Sequence, residues 1–506
     1  MLRYTKLLAS ILLAAATVTA CTDLEEKPVA ILAPEAVFKT PRDVETAVLG
    51  AYARFAAEDV WGRKMQLPIL LRGDMIDIGE QGTPGRRIQV NNFDMDANNG
   101  MVTAFWPAAY ETISAANAAI NGASIVGEPA ERIAELEAEG RFVRSMVYFH
   151  LVRLFGDIPY ITEFISDPAS VVDIAKTPAS EVYAGIIADF EYGRDNLPLS
   201  YESDLRSRPT RATATAFLAE VHLTLGDYAK AYEAARWVID NAETYNYRLE
   251  PDFQDLFIAG KADDIQEPIF VIDFKENLSD GNINTDYMAP LTGMRGKDAP
   301  EGWSVAVPSF KVYETWDGRD YRKSVSFDTT MLKNGEIVDY TQFGDTDAQR
   351  PHSAKFFRYF GDGAPISSTG NNYMMLRYAD LLLIAAEAAN EGNGGGTAEA
   401  IELVNRVRAR ARQGNPKNTG YPADVAAGIS QDEMRDLILE ERRLELAFEG
   451  RRWYDIKRRQ LGDEVFKGPN SLEPHPNFDS NRDYLFPLPG DELDRNQNLL
   501  PQNPGY

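Results

Sequence analysis

Three glutamates at four-residue steps, Glu441, Glu445 and Glu449, stand among Arg442, Arg443, Arg451 and Arg452. Side chains of these types at this density could do two kinds of chemistry. One is acid catalysis by a carboxyl group. The other is ion pairing, for which the planar guanidinium fork is well suited. The surrounding pattern favours pairing. Ser430 with Glu433 three residues on predicts a capped helix start. Met434, Leu437, Leu444, Ala447 and Phe448 then mark one apolar helical face. Glu441 falls where that face wants an apolar residue. A buried carboxylate without a partner is costly, so the expectation is a buried ion network that fixes how this helix docks. Gly450 breaks the run, and a second amphipathic segment starts with Arg452, Trp453, Asp455 and Ile456.

Other reactive constellations are missing from the sequence. His150, His222, His352 and His475 are far apart and show no metal-ligand spacing. There is no G-x-S-x-G, no cysteine nucleophile and no dinucleotide fingerprint. No metal and no cofactor is expected. Paired carboxylates could serve a glycoside hydrolase, but among 77 acidic residues chance pairs are certain and no pair is singled out.

The elements that must position these groups read as helices. Pro41 to Phe55 carries Val44, Ala47, Val48 and Ala51 on one face. Helix resumes at Phe105, with Trp106, Tyr110, Ile113, Ala116 and Asn117. Ala138 to Phe155 is apolar on two faces, the mark of a helix sandwiched between neighbours, and Gly156 and Pro159 stop it. Arg211–Asn241 is a helical pair around Gly226-Asp227 that follows the tetratricopeptide pattern, and Tyr378–Arg412 is a second pair, turning through Gly392–Gly396. Two stretches are irregular, 61–101 and 249–372. Long irregular stretches in a compact fold are usually functional. Ile269 to Phe274 is a strand candidate in the second. The tail from Tyr484 to Tyr506 reads as an extended, turn-rich strap. The fold class is therefore mainly α, with tetratricopeptide-like pairs as scaffold and a loop-rich insertion carrying few short strands.

Bulk properties exclude some partners. The 506 residues carry a formal charge of −25, which argues against nucleic acid and against docking on an anionic membrane surface. Attachment to a membrane is instead expected through the N-terminus. Arg3 and Lys6, an apolar run from Leu7 to Ala16, and Val18-Thr19-Ala20 precede the only cysteine, Cys21. This is a lipoprotein signal, residues 1–20, with Cys21 as the acylated first residue of the mature chain. Acyl chains anchor a protein without a spanning helix. Losing Arg3 and Lys6 with the signal takes the formal charge from −25 to −27.

Four motifs in order resemble the SusD/RagB family of surface nutrient-binding lipoproteins. They are Trp106-x-x-x-Tyr110-x-x-Ile113-x-x-Ala116-Asn117; the run AEGRFVRSMVYFHLVRLFGDIPY from Ala138, with Ser145 where the family has alanine; Glu441-Arg442 through Glu445, Glu449-Gly450, Arg452, Asp455-Ile456 and Arg458; and the ending QNPGY. The acidic residues Asp23, Glu25 and Glu26 after Cys21 resemble the family's surface-export signal. The resemblance implies a single domain over 21–506, with helical parts 21–248 and 373–506 around the insertion 249–372. It implies capture of an oligosaccharide at the outer cell surface and delivery to a SusC-type TonB-dependent transporter, with peptide cargo, a lipid-anchored glycoside hydrolase and a pure assembly scaffold as alternatives. Sugar rings have apolar faces and hydroxyl edges, so a site for them needs aromatic platforms and planar polar groups on accessible loops. The candidates are Trp61, Arg72, Asp74 and Asn92 in the first irregular stretch, and Tyr287, Arg295, Trp303 and Trp316 in the second. Trp303, after Gly302 in a Pro- and Gly-rich turn, is the ring most easily displayed.

Overall fold

Helices carry the architecture of the computed structural model, which describes residues 34–202, 206–274, 286–295, 302–343, 349–356, 358, 370–392, 397–414 and 419–506. Cys21, the signal segment and most of the Gly392–Gly396 turn lie outside them. Eight longer helices form the array: α1 (Pro41–Ala56), α2 (Val102–Val126), α3 (Ala130–Phe155), α4 (Ala179–Asn196), α5 (Arg211–Leu225), α6 (Tyr228–Asp240), α7 (Tyr378–Glu391) and α8 (Thr397–Arg412). Each packs on the one before it, α7 on α6 included, although the insertion lies between them in sequence. The expected pairs α5/α6 and α7/α8 are present. Gly226 closes α5 in the left-handed conformation, and the Asp227 side chain caps α6. Two further pairs, α1/α2 and α3/α4, extend the array. They escape the repeat pattern because α2 and α3 run to 25 and 26 residues.

The sandwiching expected of α3 is observed. Phe142 meets the rings of Phe190, Phe217 and Phe270 at 5.5, 5.5 and 4.9 Å. One apolar cluster extends from Ala51 to Leu488. The strands are short antiparallel pairs: β1 (Ile76–Ile78) with β3 (Ala306–Pro308), β2 (Pro268–Ile272) with β8 (Tyr373–Arg377), β4 (Phe327–Asp328) with β7 (His352–Ser353), and β5 (Thr330–Lys333) with β6 (Glu336–Asp339). The β1–β3 pair, with Asp77 opposite Val307, joins the two irregular stretches.

Helix α9 (Gln431–Glu445) begins as expected. The Ser430 amide donates to the Glu433 carboxylate at 3.0 Å. Its glutamates enter a buried network. Arg322 donates to Glu441 at 2.6 Å, to Glu445 at 3.0 Å and to Asp320 at 2.9 Å. Arg377 reaches Glu267 and Glu445 at 2.7 Å and Glu449 at 2.8 Å. Arg410 bridges Glu267 and Glu445, Lys355 meets Glu449 at 2.6 Å, and Arg408 meets Glu441 at 2.8 Å. Five carboxylates thus face five cations. Burial alone would raise the Glu445 carboxyl, but the guanidiniums of Arg410, Arg377 and Arg322 outweigh it and hold it far below the usual range. Burial pulls against Glu449 in the same way, and Arg377 and Lys355 hold it down. Next to this network, Arg442 joins Asp380 to Asp455, which lies in the short helix α10 (Arg452–Arg458).

The tail is a strap fastened to the end of α3, but it is not extended throughout: Gly490–Arg495 is a short helix and Gln497–Leu499 a 3-10 turn. The Phe486 amide donates to the Leu154 carbonyl at 2.7 Å. The Asn503 side chain donates to the carbonyls of Phe155 and Phe486 at 2.9 and 2.7 Å.

Removing one member of a buried pair leaves the other uncompensated, at about 3–5 kcal/mol. Glu441→Ala, which takes one of three carboxylates from Arg322 and leaves Arg408 without one, is expected to lower stability by that amount in denaturant unfolding; an unchanged midpoint would refute the network's role. The Glu445 and Glu449 shifts are downward, so their contribution is complete above the ordinary carboxylate range and is lost as pH falls through the depressed native values. The melting temperature should therefore decline below about pH 5, and Glu445→Gln should flatten that decline.

Candidate functional site

Burial takes four of the eight candidate residues off any ligand-facing surface. Trp61 is 3% exposed and packs on His150 at 4.6 Å and Tyr373 at 5.3 Å. Arg72 is wholly buried, its guanidinium 4.3 Å from the Phe93 ring, 5.1 Å from Phe486 and 3.5 Å from the Asp483 carboxylate. Asp74 accepts two hydrogen bonds from Arg452, at 2.7 and 2.8 Å, so the Arg72-Gly73-Asp74 tripeptide is structural. Trp316 is buried edge-on against Phe327 at 5.6 Å. Trp61, Arg72 and Asp74 share one reason. The stretch 61–101 folds inward, with Gln66–Leu71 buried throughout, and its polar groups find partners distant in sequence.

The remaining candidates divide. Tyr287 and Trp303 come together, half-buried, with ring centres 5.8 Å apart and planes tilted by 43°. The Tyr287 amide donates to the Gly62 carbonyl at 3.3 Å, and the Arg63 guanidinium lies 4.5 Å from the Tyr287 ring centre. Trp303 is set by a backbone crossing rather than an open turn. Its amide donates to the Pro290 carbonyl at 2.6 Å, and that of Gly302 to the Met294 carbonyl at 2.7 Å. A Cβ on Gly302 would stand 2.1 Å from the Gly293 backbone, so no larger residue fits there. Arg295, on the same crossing, is exposed and pairs with Glu80 of the first stretch. Asn92 sits apart. Its side chain accepts from Asn91 at 3.2 Å and its carbonyl from Asn477 at 3.1 Å. Among the described residues no hydrogen bond or ring contact joins it to Tyr287 or Trp303.

Two features went unnoticed in the sequence. The first is the dibasic pairs Arg63-Lys64 and Arg86-Arg87, the former beside the aromatic pair through Arg63; two such pairs within one irregular stretch of a strongly acidic chain are the signal that could have drawn attention to them. The second is a cavity of about 630 Å³ between α2, the segment after α3 and the tail, lined by Trp106, Tyr110, Ile161, Val172 and Leu499 among others. Tyr110 donates to the Pro159 carbonyl at 2.9 Å, and the Asn117 side chain donates to those of Ile161 and Glu163 at 2.9 and 3.1 Å. The motif Trp106 to Asn117 thus shapes this wall.

Acid–base chemistry has little to work with. His150 is buried 2.8 Å from the Tyr454 hydroxyl, and burial with the Arg153 charge pushes it well below its ordinary range. His352 and His475 are pushed down to about 4, chiefly by burial. Glu473 is raised to about 7, by burial and by the charge of Asp77. Asp77 itself is held by Arg350 and Asn91, both at 2.9 Å, leaving it paired rather than poised as a nucleophile. Among the described residues no group of three or more His, Cys, Asp or Glu could hold a metal ion.

A helical-repeat scaffold with a rim built from two loop segments is the class of protein this geometry defines. One family model, described as the SusD family, matches residues 306–506, and another, described as starch-binding and associating with the outer membrane, matches residues 80–223. SusD-like protein P2 of Formosa agariphila is 52% identical over 498 residues, 97% of each chain. The chain belongs to the SusD family. In fold it is similar to a SusD homologue from Bacteroides thetaiotaomicron, with a TM-score of 0.81 at 21% identity over 94% of this chain and 98% of that one. It is similar also to a laminarin-binding SusD-like protein, with a TM-score of 0.77 at 23% identity over 93% and 100%.

The burial difference between the two tryptophans is measurable. Trp61→Ala should cost about 3–5 kcal/mol of stability, as truncation of buried aromatics does. Trp303→Ala should cost clearly less in the same unfolding experiment. Equal losses would place Trp303 in the core.

Proposed function

We propose that this protein is a cell-surface lipoprotein that captures a glycan and passes it to a SusC-type TonB-dependent transporter, without cleaving it. The observation that carries this reading is the half-exposed Tyr287–Trp303 pair on a rim made by two irregular segments of a rigid helical scaffold. Ring faces there offer a stacking surface to the apolar faces of sugars, and neighbouring arginines offer donors to their hydroxyls. Membership of the SusD family supports it, as does the laminarin binding of a structural relative. Anchoring through diacylated Cys21 is consistent with the described helices, none of which is long and apolar enough to cross a membrane.

Incubation with a glycan panel tests capture against hydrolysis: binding with no new reducing ends is expected, and their appearance would favour the hydrolase. Trp303→Ala should weaken binding of the cognate oligosaccharide by about 1–3 kcal/mol, on the scale of base–aromatic stacking; unchanged affinity in calorimetry would remove Trp303 from the site. Cys21→Ala should yield a folded protein that no longer partitions with membranes or takes up labelled fatty acid.

A further inference from the structure

The rim carries a charge anomaly. In a chain where acidic residues outnumber Lys and Arg 77 to 52, cations are expected to be paired. Those in the buried networks are: Arg144 meets Asp189 at 2.8 Å, and every cation around Glu445 has a carboxylate. Beside Tyr287 the pattern reverses. Arg63 has one carboxylate, Glu58. Lys64, Arg86 and Arg87 have no ion pair among the described residues, and Arg87, only 7% exposed, has a single side-chain hydrogen bond, to the Thr83 hydroxyl at 3.0 Å. The Nε groups of Arg63, Arg86 and Arg87 are buried without an acceptor.

These cations sense one another. Burial first, and then the charges of Arg63, Arg86 and Arg87, push Lys64 down to about 8. Burial, with Arg63 and Arg86, pushes Arg87 down to about 10. Like charges gathered in partial burial, with donors unfilled, cost stability, and an anion placed among them would relieve both penalties. The gathering abuts the aromatic pair, since Arg63 lies over the Tyr287 ring.

Resting on the glycan-capture reading, we propose that the site formed by Arg63, Lys64, Arg86 and Arg87 beside Tyr287 and Trp303 selects glycans that carry anionic groups, uronate carboxylates or sulfate esters. The sugar face stacks on the aromatic pair while its anionic group takes charge-assisted hydrogen bonds from the cations. A neutral glucan would leave those donors unfilled.

Calorimetry with the full chain tests this on three oligosaccharide series: oligogalacturonate, carrying carboxylates only; κ-carrageenan oligomers, carrying sulfates only; and laminarin oligomers, carrying neither. At least one acidic series should bind more tightly than laminarin, and its affinity should fall steeply between low and high salt. Which series binds identifies the anionic group. Lys64→Met and Arg86→Gln should each weaken that binding by about tenfold or more, the worth of a hydrogen bond to a charged group. Their melting temperatures should hold or rise, because each removes like-charge repulsion; a merely structural role would lower them instead. Laminarin bound as tightly as the tighter-binding acidic series, or acidic binding unchanged in both variants, would overturn the proposal and leave glycan capture standing. Failure of all three series to bind the wild-type chain would count against glycan capture itself, and against the proposal with it.

Discussion

Charge taken out of water must be met by opposite charge, and Glu445 is where this constraint holds the molecule together. It receives Arg322 from the insertion, Arg377 from the end of β8 and Arg410 from α8. Glu267, at the entry to β2, completes the shell through Arg377 and Arg410. Each member comes from a different element, and none can be left out without stranding a charge in low dielectric. Two helices packed through apolar faces can slide by a turn at modest cost. Here a slip of α9 would pull Glu441, Glu445 and Glu449 away from five cations at once. The network therefore sets the register of α9 on the array and, through Arg322 and Lys355, ties the loop-rich insertion to that same register.

Much of the scaffold was legible because helices declare themselves locally. The capping residues Ser430 and Glu433, the left-handed Gly226 and the apolar stripes all act within a few residues. Glu441 on an apolar face announced a buried partner, but not which one. The arginines adjacent in sequence, Arg442 and Arg452, serve Asp380 and Asp74 instead. The glutamates' partners lie 33 to 123 residues away, from Arg408 on Glu441 to Arg322 on Glu445. Proximity in sequence misleads wherever pairing is set by tertiary docking.

The rim shows the same limit from the other side. Glycine, asparagine and aspartate in 61–101 suggested an exposed loop, yet this stretch supplies core. Arg72 is sheltered by Phe93 of the same stretch and by Phe486 and Asp483 from the tail, and Asp74 is held by Arg452, also from far along the chain. Composition reports the irregularity of a backbone and not its depth. Tyr287 and Trp303 stay half-buried, beside a backbone crossing so tight that Gly302 fits where a side chain would not. Such a crossing leaves little room beneath a large ring, so the rings are held partly outside.

The strap has a temporal meaning. Phe155, at the end of α3, has its carbonyl satisfied by Asn503, 348 residues later. Loop closure over that length is slow compared with helix formation, and a chain emerging N-terminus first cannot complete α3's surroundings until the segment around Asn503 is free. The early helices can form and pack in part, but α3 is finished only when that distant segment arrives. A polypeptide that settles late stays pliable while it is being made.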